Sequence, residues 1–122
     1  MNNVLSEIKE LEIEKILWGI VIFLAALNIY GDNIQEMFLR SNNKELEQKA
    51  KQIFIFTIAI SILIYLYYVY RNYKEVQESE QTNQNILLHN IRLAGSILIV
   101  IGALFVLYFE VNEQSPIGTP VI

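Results

Sequence analysis

The chain has no cysteine, so disulfides, thiol catalysis and cysteine metal sites are all excluded. Proline occurs twice, at Pro116 and Pro120, and nothing of that kind breaks the first hundred residues. Histidine occurs once, at His89. That leaves one side chain with an unperturbed pKa near neutrality, and it reads as a helix-end residue rather than a general base. Charged residues make up only 18% of the chain, against 53% hydrophobic, which is not the balance of an ordinary soluble domain. The formal net charge of −4 also argues against a polybasic surface for nucleic acid or anionic lipid.

What the sequence does have is apolar length. From Ile53 to Tyr70 run eighteen residues without a charge, long enough for a transmembrane helix. Residues 16–30 and 93–109 are nearly as apolar. A soluble bundle would need polar stripes along each helix, and the middle segments lack them. The expected fold is therefore an all-α integral membrane protein. It has three transmembrane helices in a single domain over residues 1–111, followed by a flexible tail at 112–122.

The first apolar stretch reads as a retained helix rather than a signal peptide. It is preceded by Glu7, Glu10, Glu12 and Glu14 against Lys9 and Lys15, where a signal peptide carries a positive region. Val4, Leu5, Ile8 and Leu11 recur at helical spacing, so the first helix is expected to begin well before the membrane. Its fifteen apolar residues cover only about 22 Å of a hydrocarbon core of roughly 30 Å. Snorkelling, bilayer thinning or shielding by other helices must make up the difference.

Gly31-Asp32-Asn33 reads as the end of that helix. Asp32 and Gln35 have capping-box spacing, and Ile34, Met37 and Phe38 share a face, which predicts a short interfacial helix over 33–40. Ser41-Asn42-Asn43 then breaks the chain, with Asn42 as cap and Glu45–Lys49 and Glu47–Lys51 as i, i+4 supports. One continuous helix is allowed from Lys44 to Glu80, which would carry the second helix beyond the bilayer. Five tyrosines between Tyr65 and Tyr73 suit an aromatic belt. Glu75–Asn85 reads as an exposed turn, with Asn83 or Asn85 opening a last helix that runs to about Val111.

No nucleotide-binding, hydrolase or zinc-protease motif occurs, which points away from an enzyme and implies no cofactor and no metal. The candidate features are instead helix-contact residues. Thr57, Ser61, Tyr65, Tyr68 and Asn72 follow at steps of four, four, three and four and form one polar stripe. On the third helix Gly95, Ser96, Gly102 and Ala103 cluster on one face, with Arg92 and Glu110 extending it; on the first, Gly19 and Ala26 repeat the seven-residue step. Asn28 is the most polar group of the first span and points away from that small face.

These features predict a small membrane interaction protein without catalysis, an accessory subunit or homo-oligomeric scaffold. Its expected partners are the lipid bilayer and either itself or a larger membrane protein, with no nucleic acid. A pore former is the alternative: three spans in about 120 residues resemble the layout of phage holins, although the tail here has no Lys or Arg where a holin has a basic one. A membrane immunity or stress protein is the third reading. Heavy use of Ile, Asn, Lys and Tyr suggests a bacterial source, hence the inner (cytoplasmic) membrane. The Lys and Arg distribution, two before the first span, four in the first loop, three in the second and none in the tail, leans to the N-terminus inside and the C-terminus outside.

Overall fold

The computed structural model describes residues 2–82 and 85–113, and side chains over 4–78 and 85–113. The expected flexible tail, apart from its first two residues, and Asn83 as a helix start lie outside the described residues. Three helices account for almost all of the rest: α1 (Asn2–Ser41), α2 (Lys44–Thr82) and α3 (Ile86–Asn112). At 40, 39 and 27 residues they are about 60, 58 and 40 Å long, all longer than a hydrocarbon core. Each contains a window long and apolar enough to cross a membrane. The chain is an all-α membrane protein with three spans.

The expected end of the first helix at Gly31-Asp32-Asn33 does not occur, and residues 33–40 are the last turns of α1 rather than a separate interfacial helix. Tertiary packing overrides the local signal. Ile34 is buried with Ala50 and Phe54 in one core cluster, flanked by Leu46 and Ile53. Peeling this segment onto the surface would forfeit that burial, which outweighs the roughly 1 kcal/mol that glycine costs within a helix. This also accounts for the short first span: α2 shields the end where α1 runs out of apolar residues.

Asn42 is not the cap of α2 but the terminator of α1. Its φ of 57° is left-handed, a conformation asparagine tolerates, and its N–H returns to the Phe38 carbonyl at 2.7 Å. The cap is Asn43, whose Oδ1 accepts from the Glu45 N–H at 3.0 Å. Glu45 and Glu47 then place negative charge on the first turn of α2. Residues 75–82, expected as part of an exposed turn, continue α2. Asn85 caps α3, with its side chain accepting from the Leu88 N–H.

Burial along the helices follows a repeat of 3.5 rather than 3.6 residues. On α1 the residues turned from solvent include Glu10, Glu14, Leu17, Leu24, Asn28, Gly31 and Gln35; on α3 they include Leu93, Ser96, Val100, Ala103, Leu107 and Glu110. Alternate steps of three and four are the signature of left-handed, nearly antiparallel packing. α2 carries two such seams. Ala50, Phe54, Thr57 and Arg71 meet α1, whereas Ile58, Ile62 and Tyr65 meet α3 around Ala103. Among the described residues no Cα of α1 comes within 8 Å of a Cα of α3. The molecule is thus an open, centred arrangement of α1 and α3 on α2, not a closed bundle.

Cross-helix partners fix the register. Thr57 pairs with Asn28, Arg71 with Glu14, Arg92 with Glu75 and Lys51 with the Glu113 carbonyl. With these contacts the three apolar stretches lie level, forming one slab. Beyond its N-terminal edge, α1 and α2 project together.

Candidate interaction site

α1 and α3 seat on different faces of α2. Three hollows lie along α2, two against α1 and one against α3, and all three share Tyr65. One is walled by Val21, Ala25 and Asn28 of α1 over Ser61; the next by Leu17 and Trp18 over Tyr68; the third by Arg92, Gly95, Ser96 and Ile99 of α3 over Asn72. The polar stripe of α2 therefore splits. Thr57 is buried under α1, while Ser61 lines a hollow against α1, Asn72 one against α3, and Tyr65 and Tyr68 border hollows on both sides.

Most of these polar groups are satisfied locally. The Ser61 hydroxyl donates to the Thr57 carbonyl at 2.8 Å, and the Ser96 hydroxyl to the Leu93 carbonyl at 2.8 Å. Thr57 Oγ1 sits between Asn28 Oδ1 at 2.8 Å and the Phe54 carbonyl at 3.0 Å. It supplies the polar contact between α1 and α2 inside the apolar slab, a kind worth about 0.6–2 kcal/mol in membranes. Asn72 differs: it is only 5% exposed, and its Oδ1 has no hydrogen-bond partner.

The small residues also separate. Ser96 and Ala103 face α2, and Ala103, fully buried between Ile58 and Ile62, allows the close approach of α3. Gly95 and Gly102 are half-buried with nothing within 4 Å of an added Cβ. Gly19 is exposed with the same free space, and Ala26 is exposed. The small face of α1 is thus turned away from the rest of the chain.

Two features escape sequence reasoning. The first is a charge chain across all three helices. Arg71 Nη1 lies 3.2 Å from Glu14, its Nε 3.4 Å from Glu10 and 3.8 Å from Glu75, and Glu75 in turn meets Arg92 at 3.1 Å. The i, i+4 pairs Glu10–Glu14 and Arg71–Glu75 were visible, but nothing local says they face each other. The second is the state of Glu110, whose place on the α3 face was readable but whose burial was not: it is fully buried in the α3 seam with both carboxylate oxygens lacking a hydrogen-bond partner. Lys51 and Glu113 act on it electrostatically.

A further surface lies on the part of α1 that projects beyond the slab. Val4, Ile8, Leu11, Lys15 and Trp18 alternate at steps of four and three, and the apolar ones among them are 46–59% exposed. Leu11, Ile8 and Val4 stand about 5, 9 and 15 Å beyond the level of Glu14 and Arg71. Between Ile8 and Trp18 the face holds an open apolar hollow bordered by Glu12, Glu14 and Lys15. Among the described residues no group of three or more His, Cys, Asp or Glu is placed to hold a metal ion.

Compared with protein-family models, curated proteins and solved structures, the chain matches none.

Proposed function

We propose that this protein is a non-catalytic membrane interaction subunit, an accessory component or homo-oligomeric scaffold of a bacterial cytoplasmic membrane, with its N-terminus inside. The observation that carries this reading is the stripe of Val4, Ile8 and Leu11. An exposed apolar side chain within the slab is covered by lipid, but these three lie past it, level with the polar end of α2. A contiguous apolar helix face in water marks a protein contact, and alternate steps of four and three suit a second helix laid along it. The outward small face of Gly19 and Ala26 continues α1's uncovered surface into the bilayer, where close helix approach is favoured.

Replacing Ile8 and Leu11 together by Glu should leave insertion and helix content unchanged. It should also reduce the particle mass, measured by light scattering in mild detergent, to that of the monomer. An unchanged mass and an unchanged set of co-purifying proteins would refute the proposal.

A pore is the second reading, favoured by the uncharged hollow between α1 and α2 that Asn28, Ser61 and Tyr65 line. Reconstituted protein should then pass ions, and Ser61→Leu should suppress the flux at least tenfold more than Ile62→Val. Vesicles that stay sealed would remove this reading.

A further inference from the structure

The uncovered stripe of α1 carries charges that select what covers it. Val4, Ile8, Leu11, Lys15 and Trp18 are followed at steps of four, three and four by Ile22, Ala25 and Ile29, all exposed. One seam therefore runs from the projecting turns into the slab, about 38 Å along the helix axis. A helix that covers it enters the membrane beside α1. In the projecting part, the hollow between Ile8 and Trp18 measures about 470 Å³, room for large apolar side chains of a facing helix.

The charges are Glu7 and Glu12 on the two flanks and Lys15 within the seam, all exposed. At about 100° per residue, Glu7 and Glu12 stand about 60° and 80° to either side of the centre of the stripe. Lys9 is about 140° away. The other acid bordering the hollow, Glu14, is paired with Arg71.

Two copies of this chain inserted the same way would bring their α1 helices together in parallel. A parallel pair sets a flank residue of one heptad against the opposite flank residue of the next. Glu7 of each copy would then face Glu12 of the other, and Lys15 would meet Lys15. Like charges so placed weaken a pair and turn away the wrong partner. A second copy is thus the wrong cover for this apolar seam. An anionic lipid surface is mismatched to Glu7 and Glu12 in the same way.

Given the reading above that the stripe is a protein contact, on which this rests, we infer that its occupant is a membrane-spanning helix of a different protein. The projecting end of that helix carries Lys or Arg opposite Glu7 and Glu12, and an Asp or Glu opposite Lys15. The rest of its seam is apolar.

A charge-swapped copy of this chain supplies that chemistry in a defined probe. Glu7→Lys, Glu12→Lys and Lys15→Glu together alter only exposed side chains and leave the apolar seam in place. Swapped copies repel one another as parent copies do, but a swapped copy beside a parent has opposite charges at every one of these places. Full-length parent and swapped chains, labelled at their C-termini and mixed in mild detergent, should pair about tenfold more tightly than either does with itself, read by energy transfer. Salt at about 1 M should remove most of that preference. Ile8→Glu with Leu11→Glu in the parent should abolish it. Parent chains that pair with each other as tightly as with the swapped copy, and through these two residues, would overturn the inference while leaving the stripe a protein contact. So would a mixture without preferential pairing, if the two substitutions still released a co-purifying protein. If they changed neither pairing nor co-purification, the reading of the stripe would fail and this inference with it.

Discussion

Replacing Gly31 by leucine is expected to separate α1 from α2 at the end of the molecule where their turn lies. A Cβ at this position would stand 2.6 Å from Phe54 Cε1 and 3.2 Å from both Phe54 Cδ1 and Ile53 Cγ2. Phe54 has no exposed surface and is held by Ile34 and Ala50, so its ring has nowhere to move. Overpacking a core costs about 1–3 kcal/mol even where neighbours can adjust. Here a whole isobutyl group meets a caged ring, and a loss of about 3 kcal/mol or more is expected. The chain has no cysteine, which makes the measurement free of background. With Tyr30→Cys and Lys49→Cys in place, at exposed positions whose parent side chains meet at 3.1 Å, a short bismaleimide should link α1 to α2 in the parent and fail when Gly31→Leu is added. Gly102→Leu and Gly19→Leu, where a Cβ meets nothing within 4 Å, should leave the link intact. If all three leucine variants crosslink alike, Gly31 is not a close-approach position and the packing described for this end is wrong.

The second large effect is expected at Arg71. Its side chain is only 11% exposed and holds Glu10 and Glu14 of α1 as well as Glu75 of its own helix. Arg71→Ala would leave Glu10 and Glu14 without a cation, facing Glu75, which keeps only Arg92. Breaking a fully buried pair costs about 3–5 kcal/mol. The three acids are 23–29% exposed, so water screens part of that loss. About 2 kcal/mol is a fair expectation, concentrated in the projecting part of α1. Hydrogen–deuterium exchange should therefore accelerate over residues 4–14 while the spans stay protected. Arg71→Lys should restore only part of the protection, because a single ammonium cannot fork between Glu10 and Glu14 as a guanidinium does. Uniform exchange in parent and variant would show that the charge chain does not fasten α1.

Both residues illustrate why the site was only partly legible beforehand. Gly31 looked like a helix stop because glycine followed by Asp and Asn is a turn signal in isolation. Its actual role depends on Phe54, twenty-three positions away, and on the antiparallel register that brings the two together. Asn28 and Thr57 were each recognisable as polar groups that must find partners in a membrane. That they find each other follows from the same register. The glycines and small residues of α3 formed one cluster in the sequence. A rotation of a single residue between the Ser96–Ala103 and Gly95–Gly102 steps separates the half that meets α2 from the half that meets nothing in the chain.

The class of protein, the number of spans, the absence of cysteine chemistry and the extension of α1 and α2 past their apolar stretches are all readable from the amino acids in order. Those properties follow from unbroken apolar length and helix period, which are local. The packing of the helices set where α1 ends, that α2 stands at the centre with α1 and α3 apart, and that Ser61, Tyr65 and Tyr68 border hollows while Thr57 and Asn72 are buried. These depend on which face of each helix is buried against which neighbour. A helix that is apolar all round does not encode that choice locally; it is fixed by close approach at Gly31 and Ala103 and by the pairings of Arg71 with Glu14 and Thr57 with Asn28 across the α1–α2 interface.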